Sequence, residues 1–176
     1  SQGGQVLNYD GSITGTADYA DIAGAQVVVV TSGFPRQPGM SREDLIGKNA
    51  DIISQVGAGI RDHAPDATIV MVTNPLDLMT YHMQKVTGFP ANRVVGQAGI
   101  LDSARMTHFV AQEIGCANED VAAMVLGGHG DTMVPLPRYT TVGGIPITQL
   151  LDEDTIEAIS QRTAGGGGEI VKLLEK

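Results

Sequence analysis

The sequence predicts an α/β fold on a parallel sheet that continues into an α+β portion. Three observations carry this prediction. Two short apolar runs, residues 25–30 and 67–72, are rich in β-branched side chains and end in small or polar residues, as strands buried on both faces do. A stretch with helical periodicity, from Arg42 to His63, separates them. Beyond Asp120 the pattern changes to short β-branched segments broken by prolines and by Gly143-Gly144, which favours antiparallel pairing.

Each element follows in order. The first strand ends at Thr31-Ser32-Gly33. The helix after it should start at a capping-box-like pair, Ser41 and Asp44, and bury a stripe of Leu45, Ile52, Val56 and Ile60. The second strand ends at Thr73-Asn74-Pro75, which opens another helix with Asn74 at the cap and Pro75 at the first helical position. Leu76, Met79, Met83 and Val86 share a face of that helix, and Gly88-Phe89-Pro90 stops it. Val94-Val95-Gly96 is a third short strand, and a helix from about Leu101 to Ile114 is closed by Gly115. Strands alternating with helices make this half a doubly wound parallel sheet. Residues 121–126 and 133–147 read as strands, and 155–174 as a helix interrupted at Gly165–Gly168. The change of character places a domain boundary near residues 97–101, with 1–98 forming the doubly wound part and 99–176 the start of an α+β domain.

Composition narrows the function. With 20 acidic against 11 basic side chains the formal charge is −9, which disfavours nucleic acid and anionic membranes as partners. The lone cysteine, Cys116, permits no intrachain disulfide and fits a reducing compartment. The N-terminus has neither the basic start nor the apolar run of a signal peptide, and no apolar run reaches membrane-spanning length. A soluble, cytoplasmic protein is expected. The chain opens without an initiator methionine and stops within a helical pattern, as a segment cut from a longer sequence would.

The residues with chemical potential cluster in a few places. Gly127-Gly128-His129-Gly130-Asp131 strips side-chain bulk from around one imidazole, so backbone and substrate can approach it. Upstream, Asp102 and Arg105 are spaced to share a helix face. A base, a carboxylate to orient it and a cation for an anionic substrate are the parts of a proton-transfer site. Two readings stay open for each. His129 is a base or a satisfied histidine in a glycine-rich turn, and Asp102–Arg105 is its partner pair or a solvated intrahelical pair.

The loop from Gly33 to Arg42 leaves the carboxyl end of a buried strand, where open α/β sheets bind ligands. Its arginines, Arg36 and Arg42, are either solvated loop charges or, with Arg105, a set of guanidinium groups suited to a small diacid. Asn49 reads as a polar break in an apolar stripe, a buried amide with partners, and Asn74 as a helix cap. Gly165–Gly168 follows no strand, so it reads as a helix break rather than a phosphate cradle. His63, His82 and His108 have no partners at metal-ligand spacing, and no metal site is expected. No Gly-x-Gly-x-x-Gly dinucleotide fingerprint occurs.

Four spaced motifs carry a resemblance: Gly33–Arg42 with Asn49, then Val72-Thr73-Asn74-Pro75-Leu76-Asp77, Leu101-Asp102-Ser103-Ala104-Arg105 and Gly127–Asp131. In this order, through nearly the whole chain, they resemble malate dehydrogenases of the lactate-dehydrogenase-like type. The resemblance implies a Rossmann domain binding NAD, followed by a catalytic domain, and reversible hydride transfer between malate and oxaloacetate in the tricarboxylic acid cycle. It implies that His129 is the proton acceptor and Asp102 its partner. It gives Arg105 the substrate's C1 carboxylate, Arg42 the carbonyl as a mobile-loop residue, and Arg36 the choice between malate and lactate chemistry. Asn74 would serve both substrate and nicotinamide ribose, while Gly33, Asn49, Val72 and Thr73 would contact the cofactor. The family also implies a homodimer or homotetramer.

The family's glycine fingerprint lies before the point where this chain starts, so the chain resembles the middle of the family sequence, a partial Rossmann sheet followed by the start of the α+β catalytic domain. A polypeptide of these residues alone is expected to bind NAD weakly or not at all and to show no turnover. Two other readings stand beside this one, a lactate or other 2-hydroxy-acid dehydrogenase and a noncatalytic fragment or binding module that keeps the fold.

Overall fold

The computed structural model describes residues 10–35, 42–130 and 132–173. Its first half is a parallel three-stranded sheet in the order β1 (Val27–Val30), β2 (Thr68–Met71), β3 (Val94–Gly96). The register pairs Val30 with Met71 and Met71 with Gly96. Helices α1 (Arg42–His63) and α2 (Leu76–Thr87) connect the strands. Both lie on one sheet face, where Ile53, Ile60, Met79 and Met83 close over Val30, Ile69, Met71 and Val94 in one core. Strand side chains alternate between faces. Ile69 and Met71 therefore point into this core, while Val27, Val29 and Val95 are exposed on the other face.

The buried face of α1 runs through Leu45, Asn49, Ile53 and Ile60, with Ile52 and Val56 half-buried at its margin. The expected stripe is therefore present but centred on Ile53, one residue beyond Ile52. Ser54 Oγ stands 2.8 Å from His82 Nε2, a polar link between α1 and α2. The expected cap residue Ser41 lies outside the described residues.

The expectation for Asn74 as a helix cap is corrected. The cap position of α2 is Pro75, extended at φ −67° and ψ 118°, and no side chain caps the helix. Because Pro75 is not yet helical, Asn74 stands one residue too early, and its carbonyl accepts a bond from Asn49 instead. At the other end Gly88 adopts φ 70° and its N–H closes on the Gln84 carbonyl, as the sequence predicts.

Helix α3 (Gly99–Ile114) follows β3 and ends at Gly115, whose φ is 78°. Beyond it come two small antiparallel sheets. One holds β4 (Val121–Ala122), β7 (Thr141–Val142) and β8 (Ile145–Pro146), and the other is the hairpin β5 (Val125–Gly127) with β6 (Met133–Pro135). Met106 and Val110 of α3, Val125, Met133, Ile147 and Ile159 form a second core.

The last helix, α4 (Glu153–Leu173), is continuous, so the expected interruption at Gly165–Gly168 does not occur. Each glycine costs a helix interior roughly 1 kcal/mol relative to alanine, a local penalty that tertiary packing can override. Here α4 packs along α3, and Gly166 lies directly against the side chain of Arg105. Among the described residues, no helix is long and apolar enough to cross a membrane.

Candidate active site

The centre of the site is a carboxylate in the wrong place for a solvated charge. Asp102 lies on the core-facing stripe of α3, four residues before Met106 and eight before Val110, and is 2% exposed. Burying an ionised carboxylate is costly unless both oxygens find charged or hydrogen-bonding partners. Both do. Asp102 Oδ1 accepts a bond from Arg105 Nη1 at 2.9 Å, and Asp102 Oδ2 lies 2.9 Å from His129 Nδ1. The reading of Asp102 and Arg105 as a solvated surface pair is thereby replaced by a triad in which a buried Asp102 joins the half-buried Arg105 and His129.

The geometry fixes the histidine's chemistry. A carboxylate on Nδ1 holds the proton there, which leaves the Nε2 lone pair as the acceptor and stabilises the ring if it becomes cationic. The His129 side chain is 20% exposed, accessible but largely withdrawn from water. It projects from the loop between β5 and β6, where Gly127 at the end of β5 takes φ 83° and Gly130 φ 118°, conformations that favour glycine. Gly128 serves a different need, because a Cβ there would collide with Thr132 Oγ1 and press on Asp77 Oδ2 at 3.1 Å.

That contact identifies a residue absent from the sequence-based set of site residues. Asp77, in the first turn of α2, accepts the backbone N–H of His129 at 3.0 Å. It fastens the histidine loop, 52 residues later in the chain, to the carboxyl edge of the parallel sheet. The only sequence signal was its place in the Asn74-Pro75-Leu76-Asp77 motif, and by itself an acid in a first helical turn reads as a complement to the helix dipole.

The strand ends at that edge are held together by Asn49, which is 1% exposed. Its Nδ2 donates to the Asn74 carbonyl at 2.7 Å and to the Phe34 carbonyl at 3.3 Å, while its Oδ1 accepts the Phe34 N–H at 2.7 Å. Thr73 Oγ1 adds a bond to the Ser32 carbonyl at 2.7 Å. Gly33 completes the junction, since a Cβ would stand 2.6 Å from Thr73 Cγ2 and 3.2 Å from Asn49 Oδ1. The loops after β1 and β2 are thus locked edge to edge, with Val72 and Asn74 left exposed. Ser32 Oγ, at the same edge, is buried without a partner. Arg36 lies outside the described residues, and Arg42 is described only by its backbone place at the start of α1.

Comparison with known proteins places the chain in a family. Residues 2–96 match the lactate/malate dehydrogenase NAD binding domain, and residues 100–175 match the lactate/malate dehydrogenase alpha/beta C-terminal domain. A malate dehydrogenase of Symbiobacterium thermophilum is 56% identical over 169 residues, covering 96% of this chain and 54% of that protein. A malate dehydrogenase of Thermomicrobium roseum is 58% identical over 173 residues, covering 98% of this chain and 56% of its own length. The apo malate dehydrogenase structure from Picrophilus torridus superposes with a TM-score of 0.92 at 46% identity, covering 99% of this chain and 56% of that one. The lactate dehydrogenase of Cryptosporidium parvum, solved with lactic acid and nicotinamide adenine dinucleotide, gives a TM-score of 0.88 at 39% identity, with 99% and 57% covered. The chain spans about half the length of the curated relatives it matches. On these matches, the chain belongs to the lactate/malate dehydrogenase family.

Proposed function

We propose that this chain carries the proton-transfer site and part of the cofactor site of an NAD-dependent malate dehydrogenase. The observation that carries this reading is the Arg105–Asp102–His129 triad, with His129 fastened by Asp77 to the carboxyl edge of the sheet. The domain division proposed is 1–98 for the dinucleotide-binding part and 99–176 for the substrate part, each with its own core.

The residues present suit a dinucleotide at the sheet edge. The absence of a Cβ at Gly33 keeps the strand-end loops tightly joined, and the orphaned Ser32 hydroxyl there is a polar group in search of a partner. Gly33, Val72, Thr73 and Asn74 would line the cofactor, with Asn49 acting through the loops it stitches. A nicotinamide held there would supply the hydride acceptor for C2 of malate. His129 Nε2 takes the hydroxyl proton, and Asp102 stabilises the imidazolium that results. Arg105 holds the C1 carboxylate, Arg42 polarises the C2 oxygen and Arg36 pairs with the second carboxylate. The proposal extends to a cytoplasmic homodimer or homotetramer that works in the tricarboxylic acid cycle, and the acidic composition suits a protein without nucleic acid or anionic membrane partners.

Steady-state kinetics of a full-length enzyme carrying this chain test the reading. Oxaloacetate should be reduced with a kcat/KM well above that for pyruvate, and Arg36→Gln should move the preference toward pyruvate. A preference for pyruvate in the unsubstituted enzyme selects the lactate reading, which the similarity to the Cryptosporidium lactate dehydrogenase keeps in play. His129→Asn should lower kcat/KM by about 10²–10⁴-fold, the usual contribution of a general base. Unchanged activity would remove His129 from the chemistry.

A further inference from the structure

The four consecutive glycines in α4 are not equivalent. Gly165 and Gly168 face open space, with nothing within 4 Å of where a Cβ would stand. At Gly166 a Cβ would stand 3.0 Å from Arg105 Cδ, 3.4 Å from its Nε and 4.0 Å from its Cγ, and at Gly167 it would be 4.0 Å from Nη2. The Arg105 stem therefore lies across the bare backbone of one helical turn.

Arg105 has little freedom to move aside. Its Nη1 is committed to Asp102 at 2.9 Å, its side chain is 17% exposed, and its Nε is buried without a partner. A methyl group at Gly166 would push the stem by a few tenths of an ångström, and the guanidinium at the end of that stem would swing with it. We infer that Gly166 is a positioning residue, keeping Arg105 aligned for the substrate carboxylate while Asp102 stays aligned on His129. The inference rests on the proposed role of Arg105 and adds a reason for the glycine run, which local helix propensity alone would oppose.

Single alanine substitutions in a full-length enzyme carrying this chain separate positioning from helix packing. Gly166→Ala should raise the KM for oxaloacetate about tenfold, since misplacing a binding group by about 1 Å can cost 10²-fold. Its kcat should stay within about threefold, the pattern of lost uniform binding. NADH affinity should be unchanged and Tm equal or lower, because the displaced Arg105 stem offsets alanine's preference for the helix. Gly165→Ala and Gly168→Ala should raise Tm and leave the KM alone. The Gly165→Ala/Gly166→Ala pair, with its added helix propensity, carries the same KM readout should the single variant fold poorly. A Gly166→Ala KM within about twofold of the unsubstituted enzyme overturns the inference, as does an equal rise in Gly165→Ala. Failure of the unsubstituted enzyme to turn over oxaloacetate overturns the proposed function, and the inference with it.

Discussion

Asp102 shows how one residue can break the packing rule of its helix. Its spacing with Met106 and Val110 is that of a core position, yet it is a carboxylate, and two cationic or protonated partners meet its two oxygens. Departures of this kind from local consistency concentrate at functional sites. Asp77 works differently, on the backbone of His129 rather than its ring. Asp77→Ala should therefore lower kcat by about tenfold through a loosened histidine loop, on the scale of a small misplacement. Asp77→Asn, which keeps an acceptor oxygen, should retain most of the rate, and neither should change NADH affinity. Stopped-flow or steady-state rates for the two variants provide the check, and equal losses in both would point to the charge instead of the bond. Asp102, Arg105 and His129 were legible because their residue types and spacing already suggest acid–base work. Asp77 was not, since its role exists only when a loop from the other half of the chain reaches it.

At the scale of elements, the sequence marked where helices and strands lie better than how they begin. The strands around Val27–Val30 and Thr68–Met71 and helix α1 fall where periodicity put them. Helix α4 starts two residues before the expected Thr155, because Asp152 caps it. Asp152 Oδ1 accepts the Thr155 N–H at 2.8 Å, and that bond holds the Asp152 carboxyl below its ordinary range. A depressed folded value means the contribution is fully present above the ordinary carboxylate range and is lost as pH falls through the folded value. Asp152→Ala should then lower Tm at neutral pH, and the gap from the unsubstituted enzyme should narrow in acid. Thermal melts across that range decide it, and a gap independent of pH would remove the charged cap from the explanation. The helix runs through Gly165–Gly168 against expectation for a related reason. Propensity is local, whereas the contact between Gly166 and Arg105 is made by helices whose adjacency no periodicity states.

At the scale of the whole molecule, the parallel sheet is covered on one face only among the described residues. Val27 is 57% exposed, Val29 59% and Val95 42%, although parallel sheets are normally buried on both faces. The same strands supply the loops that Asn49 and Thr73 join, so an uncovered sheet weakens the platform on which the site stands. Strand β1 also occupies a sheet edge among the described residues, presenting unpaired backbone groups beside those valines. A polypeptide limited to these 176 residues should therefore bind a hydrophobic dye, unfold over a broad temperature range and show no measurable malate oxidation. In a full-length enzyme carrying the chain, the same face should be protected from hydrogen exchange and the transition should sharpen. Dye fluorescence, calorimetry and an NADH-formation assay on the two proteins make the comparison. A sharp transition together with turnover by the shorter polypeptide would mean that the triad and its tether to the sheet suffice. Turnover confined to the longer protein would mean that His129 and its partners need the remainder of the enzyme before their geometry becomes chemistry.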